Sequence, residues 1–190
     1  MQSIGVRHEV SRPSTLAVGT MVWLASEVMF FGGFFAAYFS LRAAATTWPP
    51  RDVELDLGRA AFFTAVLVVS SATMHLGVRA VEQGDRRGAR LWILATLAFG
   101  SLFLANQVSE WLGLGFTPAS HSYGSVFYLL TGFHGLHVLG GLVAMAALLG
   151  RMASPVDDPG TAPVAQVVGY YWHFVDAVWL AVFATVFLVR

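Results

Sequence analysis

Five stretches of this 190-residue chain are long and apolar enough to cross a lipid bilayer as helices, and between them they leave only short connections. They run Leu16–Leu41, Ala60–Val78, Leu91–Ser109, Ser122–Gly150 and Val164–Val189, each reaching or exceeding the roughly 18 apolar residues that mark a spanning helix. In hydrocarbon every backbone polar group must be satisfied within the protein, which makes the helix the natural form for such runs. The predicted fold is an all-α integral membrane protein, a five-transmembrane-helix bundle forming a single membrane domain over residues 1–190. Its helices are expected near 16–41, 60–81, 90–112, 122–150 and 164–189. A charged fraction of 12% is about half that of ordinary soluble domains, which supports the same class. Ala43-Ala44-Ala45 after the first run resembles a signal-peptidase site, but a signal core is shorter and holds no carboxylate, so the run is expected to be a retained helix.

Orientation follows from the arginines, since the chain has no lysine. Arg7, Arg12, Arg79, Arg86, Arg87, Arg90 and Arg151 fall on one side, and Arg42, Arg51, Arg59 and Arg190 on the other. Seven against four predicts a cytoplasmic N-terminus by the positive-inside rule, and five spans then place the C-terminus outside. Pro49-Pro50 with Arg51, Asp52, Glu54 and Asp56 makes a stiff, charged outer loop. Glu82–Arg87 reads as a tight turn between helices two and three, and Pro155, Asp157, Asp158, Pro159, Gly160 and Pro163 break the chain before the last helix.

Ionisable groups inside these runs are the candidate functional residues, because a carboxylate at the bilayer centre costs roughly 2.5–3.5 kcal/mol even on the lenient insertion scale. Counted inward at about 1.5 Å per residue, Glu27, His137 and Asp176 share one rough layer, and a Glu27–His137 contact is expected. Trp23, Phe30, Phe31 and Phe34 cluster around Glu27, while Gly32, Gly33, Ala36 and Ala37 lie roughly opposite and suit close helix packing. His134 and His137 share a face with Gly141 and Ala144, and Trp172, His173, Asp176 and Trp179 form a stripe on the last helix. Tyr170 and Tyr171 fit an interfacial belt near its entrance.

The absence of cysteine removes disulfides, thiolate-ligated haem and cysteine-bridged copper. Zero net charge gives no footprint for nucleic acid. His75 with His173 could hold a haem between helices, and a proton relay through Glu27, Asp176 and the histidines is a rival of another class. His134-Gly135-Leu136-His137 is too sparse for a membrane di-iron site, and no inverted repeat suggests a transporter.

Five blocks occur in order: Ser26-Glu27-Val28-Met29-Phe30-Phe31, Trp48-Pro49-Pro50, Glu82-Gln83-Gly84-Asp85-Arg86, Gly132-Phe133-His134-Gly135-Leu136-His137, and the run from Tyr171 to Trp179. Together they resemble subunit III of haem–copper oxidases from about Leu16 to the end. The resemblance implies a non-redox core subunit of an aa3-type cytochrome c oxidase in the aerobic respiratory chain, multi-pass in the bacterial inner membrane. The same resemblance implies that it binds no haem or metal itself and that haem a and copper belong to partner subunits. Its implied partners are the catalytic subunit I and other oxidase subunits, with membership of a respiratory supercomplex and membrane phospholipid as further candidates. By the same resemblance Glu27 is the family's buried reactive carboxylate, while His134, His137, His173 and Asp176 match its helix-four and helix-five signatures, alongside Trp172 and Trp179. In that family the subunit supports proton uptake, protects the enzyme during turnover and binds phospholipid, and the resemblance implies the same here. Seven-helix members form a lipid cleft with two N-terminal helices, and this chain matches from the third helix onward. Quinol oxidases and an accessory protein of nitric oxide reductase carry similar subunits, but Ser26-Glu27 and Tyr171-Trp172-His173 look more like the cytochrome c branch.

Overall fold

The computed structural model describes residues 15–51, 53–153 and 160–189. Five helices, α1 Thr15–Ala44, α2 Leu57–Glu82, α3 Arg86–Gly113, α4 Ser122–Ala153 and α5 Thr161–Phe183, are followed by a π-helical turn over Ala184–Leu188. There is no strand among the described residues, and all five helices are long and apolar enough to cross a membrane. Several charges and turn residues used to read orientation and loops, namely Arg7, Arg12, Asp52, Pro155, Asp157, Asp158, Pro159 and Arg190, lie outside the described residues.

The helices extend beyond the apolar runs because polar flanking residues cap them. Asp56 accepts the Arg59 N–H at 2.9 Å and starts α2 three residues before its apolar stretch. Asp85 does the same for α3 by accepting the Gly88 N–H at 2.9 Å, and the His121 Nδ1 accepts the Gly124 N–H at 2.8 Å at the head of α4. A side-chain acceptor there satisfies amide groups that have no intrahelical partner. Between α2 and α3 the chain reverses at Gly84, whose φ of 74° is a conformation that costs other residues about 1–2 kcal/mol.

Helix α5 is the centre of the bundle, packed against α2 on one side and against α4 and α1 on the other, while α3 closes the gap between α2 and α4. Trp172 is its most enclosed large side chain, and Gly100 of α3 and Gly141 of α4 exist to admit it. A Cβ at Gly100 would stand 2.6 Å from the Trp172 ring, and one at Gly141 would stand 2.7 Å from it. Small residues here let three helices close around one indole.

Helix α1 packs with the opposite face from the one its small residues suggest. Gly32, Gly33, Ala36 and Ala37 are exposed, and a Cβ at Gly32 or Gly33 would meet nothing within 4 Å. The aromatic face turns inward instead: Phe30 and Phe34 pack on Phe133 at 5.2 and 5.1 Å, Trp23 stacks on Tyr171 at 5.4 Å, and Phe31 reaches Phe174 at 6.5 Å. Dispersion between large rings exceeds what a smooth glycine face can gain when both are on offer. At the far end Tyr38 is fully buried and donates to the Thr185 carbonyl at 3.2 Å inside the π turn.

Gly141→Ala is expected to destabilise the bundle by about 1–3 kcal/mol by forcing the rigid Trp172 ring aside, whereas Gly32→Ala should be silent. Thermal midpoints of the two variants in detergent, compared with the parent, check the pair.

Candidate functional site

Two poles define the molecule: the first holds the start of α1, the α2–α3 turn and the start of α5, and the second holds the opposite ends. Between them, on the α1 side of α5, Glu27 and His137 meet. The His137 Nε2 lies 3.2 Å from the Glu27 Oε2, with the two side chains 15% and 20% exposed. The other ring nitrogen, Nδ1, lies 2.7 Å from the Phe133 carbonyl. A carbonyl only accepts, so Nδ1 carries the hydrogen and Nε2 is left to face the carboxyl, either accepting its proton or sharing a charge with it. Tyr171 completes the arrangement by donating from its hydroxyl to the His137 carbonyl at 2.9 Å.

These groups line an open groove of about 530 Å³ between α1 and α4, walled by Trp23, Ser26, Phe30, Phe133 and Leu136. Ser26 turns its hydroxyl back to the Trp23 carbonyl at 2.6 Å and so leaves Glu27 to His137. On the other flank of the Phe133–Leu136 ridge runs an almost wholly apolar groove of about 470 Å³ between α3 and α4, with Leu104, Trp111, Tyr128 and Leu139 in its walls. One groove therefore carries an acid and an imidazole at its edge, and its neighbour carries neither.

The remaining sequence-predicted residues go elsewhere. Asp176 does not join Glu27 and His137: five residues beyond Tyr171 on α5, it lies well around the helix and faces α2. It is 5% exposed, and neither carboxyl oxygen makes a hydrogen bond. His134 also parts company with His137. It sits fully buried against Trp179 at 4.9 Å and Phe103 at 5.8 Å, with no hydrogen bond to either ring nitrogen. Gly141, one heptad on, shares the His134 face toward Trp172, whereas His137 points to α1.

On α5 the polar stripe is tied to α2 by hydroxyl groups that sequence reading passed over. Trp179 donates to Thr64 at 2.9 Å, Trp172 donates to Ser70 at 3.0 Å, and the His173 Nδ1 lies 2.6 Å from the Ser71 hydroxyl. From Trp172 to Trp179, two turns on along α5, the partner steps back along α2 from Ser70 to Thr64, as antiparallel neighbours must. Hydroxyls spaced along α2 at the depths of the α5 indoles were the available signal. Tyr171 was also missed, since it serves the His137 carbonyl rather than an interfacial belt.

Among the described residues no three His, Asp, Glu or Cys side chains gather as a metal site. The class so defined is a multi-pass helical membrane protein with a half-buried acid–imidazole pair and a polar seam around one central helix. A family model for cytochrome c oxidase subunit III matches residues 3–189. The chain is 51% identical over 187 residues to a probable cytochrome c oxidase subunit 3 of Nocardia farcinica, covering 96% of this chain and 92% of that one. Similarity extends to cytochrome c oxidase subunit 3 of Corynebacterium diphtheriae, 41% over 187 residues with 95% and 91% covered, and of Thermostichus vulcanus, 37% over 191 residues with 98% and 93% covered. The chain belongs to the cytochrome c oxidase subunit III family and is thereby part of an oxidoreductase complex.

His137→Leu should cost about 1–3 kcal/mol by leaving the Glu27 carboxyl without its partner, whereas Glu27→Gln keeps a hydrogen bond and should cost less than about 1 kcal/mol. Thermal unfolding of the two variants reads the difference, and protease sensitivity of α1 reports whether that helix is the one released.

Proposed function

We propose that this chain is the non-redox subunit III of an aa3-type, proton-pumping cytochrome c oxidase in a bacterial inner membrane, packed beside a catalytic subunit I that holds haem a and copper. The observation that carries the reading is the family match over residues 3–189, joined to a bundle in which Glu27 meets His137 and the α5 indoles meet hydroxyls of α2. Nothing favours a quinol oxidase or a proton channel instead, and the relatives above bear the cytochrome c oxidase name. The chain transfers no electrons. It flanks subunit I, keeps the proton entrance of that subunit hydrated and suitably charged, and lengthens the life of the enzyme in turnover.

The first pole faces the cytoplasm in this reading. Among the described residues Arg79, Arg86, Arg87, Arg90 and Arg151 gather there, against Arg42, Arg51 and Arg59 at the other. Arg86 and Arg90 both reach the Met152 carbonyl, fixing the end of α4 at that pole. Phospholipid is the ligand that suits the two grooves beside α4. The apolar one accepts an acyl chain, and Trp111 and Tyr128 on its wall are the amphipathic rings found near membrane interfaces. Glu27 and His137, functional groups of the polar layer, would then stand at the edge of lipid and share a proton between them, while His134, Trp172 and Trp179 hold the bundle together.

Co-purification in mild detergent should bring down larger subunits carrying haem a and copper. Oxidase assembled without the chain should keep its haem spectrum yet take up protons more slowly, or lose activity after fewer turnovers. Recovery of the chain alone, conducting protons in liposomes with a current lost in Glu27→Gln, would contradict the reading.

A further inference from the structure

On the side of α5 away from Glu27, polar groups line the α2–α5 seam from the first pole inward. At its mouth the Gln166 amide donates to the Glu82 Oε1 at 2.7 Å. Behind that pair His75, Arg79, Tyr170 and His173 border a pocket of about 230 Å³, room for several waters at about 30 Å³ each. The two imidazoles face one another across it with ring centroids 6.5 Å apart. From there the His173 Nδ1 meets the Ser71 hydroxyl at 2.6 Å, and Ser71 stands beside Asp176.

Asp176 is an odd residue to find at the inner end. It is 95% shielded, neither oxygen makes a well-formed hydrogen bond although the Ser71 hydroxyl is its polar neighbour, and no charged side chain of α2, α3 or α4 among the described residues acts on it. His134 of α4 is held against the Trp179 ring, and Glu27 of α1 is paired with His137. A buried acid so poorly satisfied calls for an explanation other than packing. What it does offer is a proton that can be gained and lost, and intramembrane acids lined up with His are the usual material of proton relays. Past Asp176 the seam is shut, since Leu67 is buried and Trp179 is bonded to Thr64.

We propose that the α2–α5 seam is a blind proton-exchange inlet, in which protons pass between the first pole and Asp176 through pocket water, His173 and Ser71 and go no further. In one inward transfer the Asp176 carboxylate takes the Ser71 hydroxyl proton, Ser71 takes the Nδ1 proton of His173, and His173 recovers a proton at Nε2 from a hydronium ion in the pocket, leaving water. Release runs the same steps backward and restores the original tautomer. His75 and Arg79 border the entry and Glu82 sits at its rim, so the pocket can hold either an added proton or its absence without a bare charge in the hydrocarbon. The inlet rests on this chain's own geometry and does not depend on the oxidase reading.

Infrared difference spectroscopy on the chain in the membrane complex with which it purifies tests the inlet. Across a pH titration, one carboxylic C=O band should be absent in Asp176→Asn and shifted by 13C-aspartate labelling of the unmutated chain; the label secures the assignment even where the variant folds poorly. On transfer to D2O that band should shift promptly in the parent, about 10²-fold more slowly in Ser71→Ala, and promptly again in Ser71→Thr, which restores the hydroxyl. Absence of any aspartate carboxylic band, or exchange in Ser71→Ala at the parent rate, would overturn the inlet. A proton current through liposomes that Asp176→Asn abolishes would overturn its blind end. Because the readout is one carboxyl group, its failure leaves the place of the chain in an oxidase untouched, and loss of oxidase activity alone does not mimic it.

Discussion

The bundle depends on the way α5 is fastened to α2. Inside a bilayer, lipid tails solvate apolar side chains as well as a neighbouring helix does, so helices associate through close packing and interhelical hydrogen bonds. Trp172 and Trp179 each bury a large ring and each must find an acceptor for its indole N–H. Ser70 and Thr64 provide those acceptors at 3.0 and 2.9 Å. A neutral hydrogen bond contributes only about 0.5–1.5 kcal/mol, but leaving its buried donor unmade costs more. The two indoles therefore fix the register of α5 against α2, and the glycines at 100 and 141 bring α3 and α4 in around Trp172.

With α5 fixed, its opposite sides become two separate environments. One side carries Tyr171, which holds the His137 carbonyl at 2.9 Å and stacks on Trp23, and so ties α1 and α4 to the same point. There the polar pair is mostly buried and keeps one edge on an open groove. The other side carries His173 and Asp176 along the α2 seam, with the acid well enclosed. A single layer of three ionisable groups thus resolves into an edge pair and a buried singleton, separated by the width of one helix.

Much of this is legible in the sequence, and the rest fails for identifiable reasons. Five spans follow from apolar length, because a helix satisfies its backbone within a single segment in hydrocarbon. The Glu27–His137 contact is legible from depth, since each needs a polar neighbour and few exist. Direction around a helix is harder to read. In a soluble protein the polar face marks the outside; here all faces of α1 are apolar, and the small-residue face, a reasonable candidate for packing, stays open while the aromatic face docks. His134 and His137 are only 60° apart on an ideal helix, yet that is enough to send one into the α3–α4–α5 core and the other to α1. The hydroxyls of α2 escape notice because Ser and Thr in membrane helices also bond their own backbone, as Thr64 does with the Ala60 carbonyl at 2.8 Å. Serving that carbonyl with its hydrogen leaves the Thr64 oxygen free to accept from Trp179, and nothing in the sequence distinguishes such a double use from a single one.

Under the proposed reading as a non-redox subunit, this division of polar groups has a physical logic. An acid–imidazole pair at the rim of an open groove can move one proton between its members while net charge stays constant, so its surroundings see less change in field than a net gain or loss of charge would produce. Asp176 has no such partner, and any change in its protonation is a change of one full charge inside the bundle. At an effective dielectric of about 20, a unit charge still acts on another 10 Å away with roughly 1.7 kcal/mol, enough to bias protonation of a neighbouring group by somewhat more than tenfold. A transfer within the rim pair is thus electrically quieter than a change at the seam acid, and if the proposed inlet operates, the α2–α5 side is where this chain would act on proton occupancy in whatever packs beside it.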